Sequence, residues 1–250
     1  MNQAHSLMIK TNHHLIKGGE LTDAHKLTIT NRLLSAKTTP EQARRRFNKL
    51  PGNERDMYPY QYVLPYNNGE KLVTIFNQMP KTQILSMNNY ELEILRLLHL
   101  FAPQNPEVAD MVAQTAVRLK KTCFGNKGCS TGECFDAGLV TLRYISATAP
   151  KSEGWIYNLL SMYNFAAPKR KNSGYHGRNY TRYYIWYYWL CLSEMPFQIA
   201  ERQIKLHKDE MLSYLNGGIK TKTDEDRILV PIKTAVIKNC LSKLPEYASL

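Results

Sequence analysis

The sequence has no uncharged apolar run approaching the roughly 20 residues that cross a bilayer. Its best stretch, Tyr183 to Ser193, is too short and is rich in tyrosine. The segment from Met1 to Gly19 carries polar and histidine residues where an export signal needs a continuous apolar stretch, so a cytoplasmic location is expected. Cysteine is scarce and odd in number, five in all, which argues for reduced thiols rather than a disulfide framework. Also missing are a Gly-rich phosphate loop, a dinucleotide fingerprint, a metalloprotease helix and a nucleophile elbow, so no cofactor is expected. Acidic residues are in deficit: 21 Asp and Glu face 33 Lys and Arg, leaving a formal charge of +12.

That excess points to an anionic partner, because a field of that sign concentrates anions near the surface. Nucleic acid, a phosphate-bearing ligand and an anionic membrane surface all fit, and so does a merely basic soluble protein. At 250 residues with 43% hydrophobic content, the chain is long enough to bury a core of its own.

Periodicity predicts helices along most of its length. The first clear one runs from Asp23 to Ala36, capped by Thr22 or Asp23, and Met1 to Gly19, with His13 and His14, reads as a mobile tail. Thr39 and Gln42 have capping-box spacing with Pro40 at the first helical position, which starts a second helix that Pro51 and Gly52 stop. Tyr60, Tyr62 and Leu64 alternate before Asn67, Asn68 and Gly69, and Leu72 to Phe76 follows, which predicts a small β-hairpin near residues 58–77. From Asn88 or Asn89 onward the pattern is helical, with Leu92, Leu95, Leu98 and Leu100 on or near one face.

Pro103, Pro150, Pro196 and Pro245 recur at intervals of 47, 46 and 49 residues. The first three each close one apolar helical run and precede another, so the expected fold is mainly α, built from repeated helical hairpins of about 47 residues. An N-terminal segment, 1–80, packs against a hairpin array, 81–250, or the two form one domain over 20–250. The period resembles that of HEAT-like solenoids and of the α/α-toroid folds of terpenoid cyclases and some sugar-processing enzymes. That likeness implies either an open stack or a closed ring with a concave centre.

Two regions carry side chains with chemistry. Cys123, Cys129 and Cys134 share a Gly-containing loop and are candidate soft-metal ligands if His176 or Cys191 adds a fourth. No C-x2-C pair is present, and small buried thiols are the competing account. Ser130 and Glu133 have capping-box spacing, which puts Cys134 in the first turn of a helix, where the N-terminal dipole favours a thiolate. An enzyme using this region would draw on Cys134, Asp136, His176 and Tyr180, with Glu133 and Asp136 as an acid and base pair.

The other region runs from Lys169, Arg170 and Lys171 through His176, Arg178, Tyr180 and Arg182 into Tyr184, Trp186, Tyr187, Trp189 and Leu190. Cations there can track phosphates while tyrosine and histidine rings stack on unpaired bases. The aromatics after Tyr183 are expected to be core instead. Arg44, Arg45 and Arg46 form a second basic cluster, with a solvated helix face as the plainer reading. Three functions follow: a non-enzymatic protein engaging nucleic acid, an enzyme with its site in the concave centre of the array, and a protein-binding scaffold.

Overall fold

The computed structural model describes residues 3–39, 41–42, 56–62, 72–126, 134–161, 163, 181–221 and 223–249, apart from the side chains of residues 135, 136, 181–184 and 225. The described chain is mainly helical: α1 (Gln3–Ile16), α2 (Asp23–Ser35), α3 (Gln83–Phe101), α4 (Pro106–Leu119), α5 (Phe135–Thr148), α6 (Glu153–Ser161), α7 (Thr181–Glu194), α8 (Phe197–Gly217) and α9 (Asp224–Leu241), then a 3-10 turn at Pro245–Tyr247. Among the described residues no helix is long and apolar enough to cross a membrane.

Helix starts follow capping chemistry. The Thr22 hydroxyl accepts from the His25 amide at 3.2 Å. Asn105 accepts from the Glu107 and Val108 amides at 2.9 and 3.3 Å, with Pro106 at the first helical position of α4. The box at Thr39 is reciprocal: the Thr39 amide donates to Gln42 Oε1 at 3.0 Å, and the Gln42 amide donates to Thr39 Oγ1 at 3.3 Å. Helix α3 begins at Gln83 rather than Asn88 because Thr82 caps it, accepting from the Leu85 amide at 3.3 Å. That added turn buries Leu85 and Met87.

The prolines end helices in a shared way. A residue preceding proline is pushed out of the α region, so α3 and α5 stop on alanines with non-helical backbone. Ala102 has φ −140° and ψ 55°, and Ala149 has φ −139° and ψ 55°. Their amides donate four residues back, to the Leu98 and Ile145 carbonyls, each at 2.8 Å. Before Pro196, the Met195 amide donates to the Cys191 carbonyl at 3.1 Å. Each of these prolines sits in a short connection to a helix that packs against its predecessor, α4 on α3, α6 on α5 and α8 on α7.

Helices α3, α5, α7 and α9 pack each on the next. Helix α3 lies deepest, with every residue from Leu85 to Leu98 buried. It also meets α1, α2 and α4. Two thiols tie the row together, since Cys191 of α7 donates to the Leu139 carbonyl of α5 at 3.4 Å and Cys240 of α9 donates to the Trp189 carbonyl of α7 at 3.1 Å. Burial pushes both thiols up.

The expected N-terminal tail is instead a helix. Its buried face, Ala4, His5, Met8, Thr11, Asn12 and Ile16, recurs at helical spacing but is half polar, and that polarity hid it in the sequence. The polar groups find partners on folding: His5 Nε2 and His13 Nε2 donate to the Val73 and Ile75 carbonyls at 2.9 and 2.6 Å. Burial pushes the His13 imidazole below its ordinary value, outweighing the bond to the Ile75 carbonyl, which pulls the other way. Helix α1 contacts both α3 and α9, and Asn239 Nδ2 of α9 donates to the Ile16 carbonyl at 3.0 Å.

The expected β-hairpin has no strand among the described residues of its flanks. Residues 75–77 turn sharply, with Asn77 at φ 57°, and its predicted tip, Asn67 to Gly69, lies outside the described residues. The flanks dock individually, since the Tyr62 hydroxyl donates to the Leu33 carbonyl at 3.0 Å and the Thr38 amide donates to the Gln61 carbonyl at 2.8 Å.

Candidate functional site

Helix α3 carries Glu91, Glu93 and Arg96 into the interior, where an unpaired charge would be very costly. Arginines of neighbouring helices meet them. Arg143 of α5 places Nη1 at 2.8 Å from both Glu93 oxygens, while its Nε and Nη2 fork onto Glu194 of α7 at 2.8 and 2.6 Å. Arg96 Nη2 donates to Glu194 Oε2 at 2.7 Å, and Arg96 Nη1 donates to Asn12 Oδ1 of α1 at 3.3 Å. The Tyr187 hydroxyl donates to Glu93 Oε1. Four helices therefore share one cluster of charge-assisted bonds.

A second cluster joins α3 to α4. Arg118 donates to Glu91 Oε1 at 2.9 Å and to Asn88 Oδ1 at 2.7 Å, and both Arg118 and Glu91 side chains are fully buried. Glu91 Oε2 accepts from the backbone amides of Gln61 and Tyr62 at 2.6 and 3.0 Å. Three arginines thus face three glutamates, five of the six buried and Glu194 partly exposed.

Burial alone pushes the Glu194 carboxyl up, but Arg143 and Arg96 outweigh it and hold the carboxyl down at about 2. Burial likewise pushes Arg143 down, and Glu194 and Glu93 lift it well above its ordinary value. For Tyr187, burial and Glu93 both raise the phenol. Because the folded carboxyl of Glu194 is depressed, its stabilisation is fully present above the unfolded value near 4.5 and is lost as pH falls towards 2. Urea midpoints measured at pH 6, 4 and 2.5 should fall progressively, because the unfolded chain takes up a proton on this carboxyl before the folded one does. A midpoint unchanged down to pH 2.5 would show that Glu194 is not held ionised by its arginines.

The sulfur region is partly described. Cys134 is the N-cap of α5 rather than a first-turn residue, and it makes no side-chain capping bond. Cys123 Sγ lies 3.3 Å from Cys134 Sγ. Cys129, Ser130 and Glu133 lie outside the described residues, as does the side chain of Asp136. Among the described residues no three His, Cys, Asp or Glu side chains are grouped to hold a metal ion. Cys191 is buried at the joint between α7 and α5.

In the basic region, Lys169, Arg170, Lys171, His176, Arg178 and Tyr180 lie outside the described residues, as do Arg44, Arg45 and Arg46, while Arg182 lies in α7 with its side chain undescribed. Trp186, Tyr187, Trp189 and Leu190 are core, as their helical spacing predicts. The Trp186 and Trp189 rings meet edge-on with centroids 5.2 Å apart, and Lys233 Nζ sits 5.3 Å from the Trp186 ring centre.

The six charged residues of the interior carry no sequence signal as a group. Glu91, Glu93 and Arg96 look like ordinary solvated charges of a helix, and their partners lie far away in the chain. Comparison of the chain with protein-family models, with curated proteins and with solved structures returns no match.

Proposed function

We propose that this chain is a basic, non-enzymatic binding protein that engages nucleic acid through phosphate contacts and some aromatic stacking. The observation that carries the reading is where the charge is not. Arg96, Arg118 and Arg143 are matched by Glu91, Glu93 and Glu194, so the formal excess of +12 is carried by other residues of the chain. Residues 164–182 hold five of those cations, Lys169, Arg170, Lys171, Arg178 and Arg182, and no acidic residue. With Trp186 and Trp189 committed to the core, stacking falls to Tyr175, His176 and Tyr180 in the same segment. In the same reading, the hairpins form a repeating array that presents this segment. Its support is the matching non-helical caps at Ala102 and Ala149, 47 residues apart, and the row from α3 to α9.

Binding to fluorescent single-stranded and double-stranded oligonucleotides, titrated with salt, tests this directly. Affinity should fall steeply with salt, and combined Arg170→Ala, Arg178→Ala and Arg182→Ala should weaken it and flatten the logarithmic salt slope by about 2 to 3. Absence of binding at low salt would sink the reading and return attention to the enzyme and scaffold alternatives. The pairing of Glu91, Glu93 and Glu194 with arginines favours a binding surface over catalysis by these interior carboxylates.

A further inference from the structure

We propose that Cys123 and Cys134 form a redox-active dithiol site that hydrogen peroxide oxidises to an intramolecular disulfide. Two thiols come within 3.3 Å here, from opposite sides of the α4 to α5 connection. A disulfide needs about 2.05 Å, so roughly 1.3 Å of side-chain rotation separates the present arrangement from the bond.

Each thiol is held by structure of its own. After α4 the chain makes a tight turn in which the Thr122 hydroxyl donates to the Leu119 carbonyl at 2.8 Å and accepts from the Gly125 amide at 3.0 Å. A side chain at Gly125 would place Cβ 2.1 Å from the Leu119 carbonyl oxygen, so this turn requires glycine. The Trp155 indole of α6 then clamps the turn, donating to the Gly125 carbonyl at 2.6 Å. Cys123 sits inside that clamped turn. Cys134 is fixed by α5, where its carbonyl accepts from the Gly138 amide at 2.9 Å.

The pair is also the reactive one among the described cysteines. Cys123 and Cys134 are half-buried, whereas Cys191 and Cys240 are buried. The N-cap position sets Cys134 at the positive end of a 14-residue helix, where the dipole favours a thiolate, so we take it as the attacking sulfur.

In the first step the Cys134 thiolate attacks one peroxide oxygen. An S–O bond forms, the O–O bond breaks, and the departing hydroxide takes up a proton as water. In the second step Cys123 Sγ attacks the sulfenic sulfur of Cys134. The S–S bond forms, the S–O bond breaks, and a second hydroxide leaves with the Cys123 proton as water. The two sulfurs lose two electrons and the peroxide is reduced to two waters.

The test is mass spectrometry of the full chain, reduced, exposed to stoichiometric hydrogen peroxide and alkylated without reductant. Cleavage after Lys127 and after Glu133 puts Cys123, Cys129 and Cys134 on three separate peptides, so the linkage is read directly. The expected product joins the Cys123 and Cys134 peptides, reverts with dithiothreitol, survives Cys129→Ser, and is lost in Cys123→Ser and in Cys134→Ser. Cys191 and Cys240 should remain reduced and alkylate only after denaturation. A bond through Cys129, its loss in Cys129→Ser, or oxidation to sulfinic acid with no disulfide would overturn the proposal. So would a stoichiometric metal ion carried by the purified protein that blocks the reaction until it is chelated. Because the wild-type linkage is itself decisive, a serine variant that fails to fold does not rescue the idea.

Discussion

Replacing Arg143 with methionine should lower the free energy of unfolding by about 3–5 kcal/mol, the cost of removing one partner from a buried ionic cluster. Arg143 is 1% exposed and contacts two carboxylates, so its removal strands both. Glu93 suffers more, because it is 4% exposed and among the described residues keeps the Tyr187 hydroxyl alone, whereas Glu194 is 28% exposed and still has Arg96. Against a typical total of 5–15 kcal/mol, the loss is a third or more of the stability of an ordinary domain. Arg143→Lys keeps the charge but not the fork, and a single ammonium cannot satisfy Glu93 and Glu194 from one position. It should therefore fall between the methionine variant and the wild type. Urea unfolding followed by circular dichroism decides the matter. A loss under about 1 kcal/mol for Arg143→Met would mean that water reaches Glu93 once the guanidinium is gone.

The fold was legible where chain-local chemistry dictates it. Thr22 and Thr39 mark helix starts through their own oxygens, and an X-Pro step forces the preceding residue out of the helix, so Pro103, Pro150 and Pro196 announce the connections. The burial of Trp186, Tyr187 and Trp189 was equally legible, since a helix aromatic on most sides has no solvent face. What escaped depends on partners distant in the chain. Helix α1 buries His5 and Asn12, which read as polar until Val73, Arg96 and the Met8 carbonyl are brought beside them. Glu93, Arg143 and Glu194 are separated by about 50 residues at each step and become a site only when α3, α5 and α7 align. Of the candidate sites, the position of Cys134 near a helix start was visible, but its approach to Cys123 depends on a turn closed by Trp155, and nothing in the spacing of the cysteines announces that.

Glu91→Gln should be nearly as damaging as the loss of Arg143, with a more local signature. Both carboxylate oxygens act as acceptors: Oε1 faces Arg118, and Oε2 faces the Gln61 and Tyr62 amides. A carboxamide has one oxygen and one NH2 group, so either orientation sets donor against donor. The substitution also leaves Arg118 as an uncompensated cation with no exposure, for a combined cost of about 3–5 kcal/mol. Because Glu91 fastens residues 61 and 62, which in turn hold Thr38 and Leu33, the effect should spread to α2. Amide exchange at Gln61 and Tyr62 should accelerate by more than global unfolding explains. Combining Glu91→Leu with Arg118→Met removes both charges together, so the double variant should lose roughly 2–3 kcal/mol less than the sum of its single variants. Strictly additive losses would show that Asn88 and the Asp56 carbonyl, at 2.7 and 3.3 Å, satisfy Arg118 without Glu91.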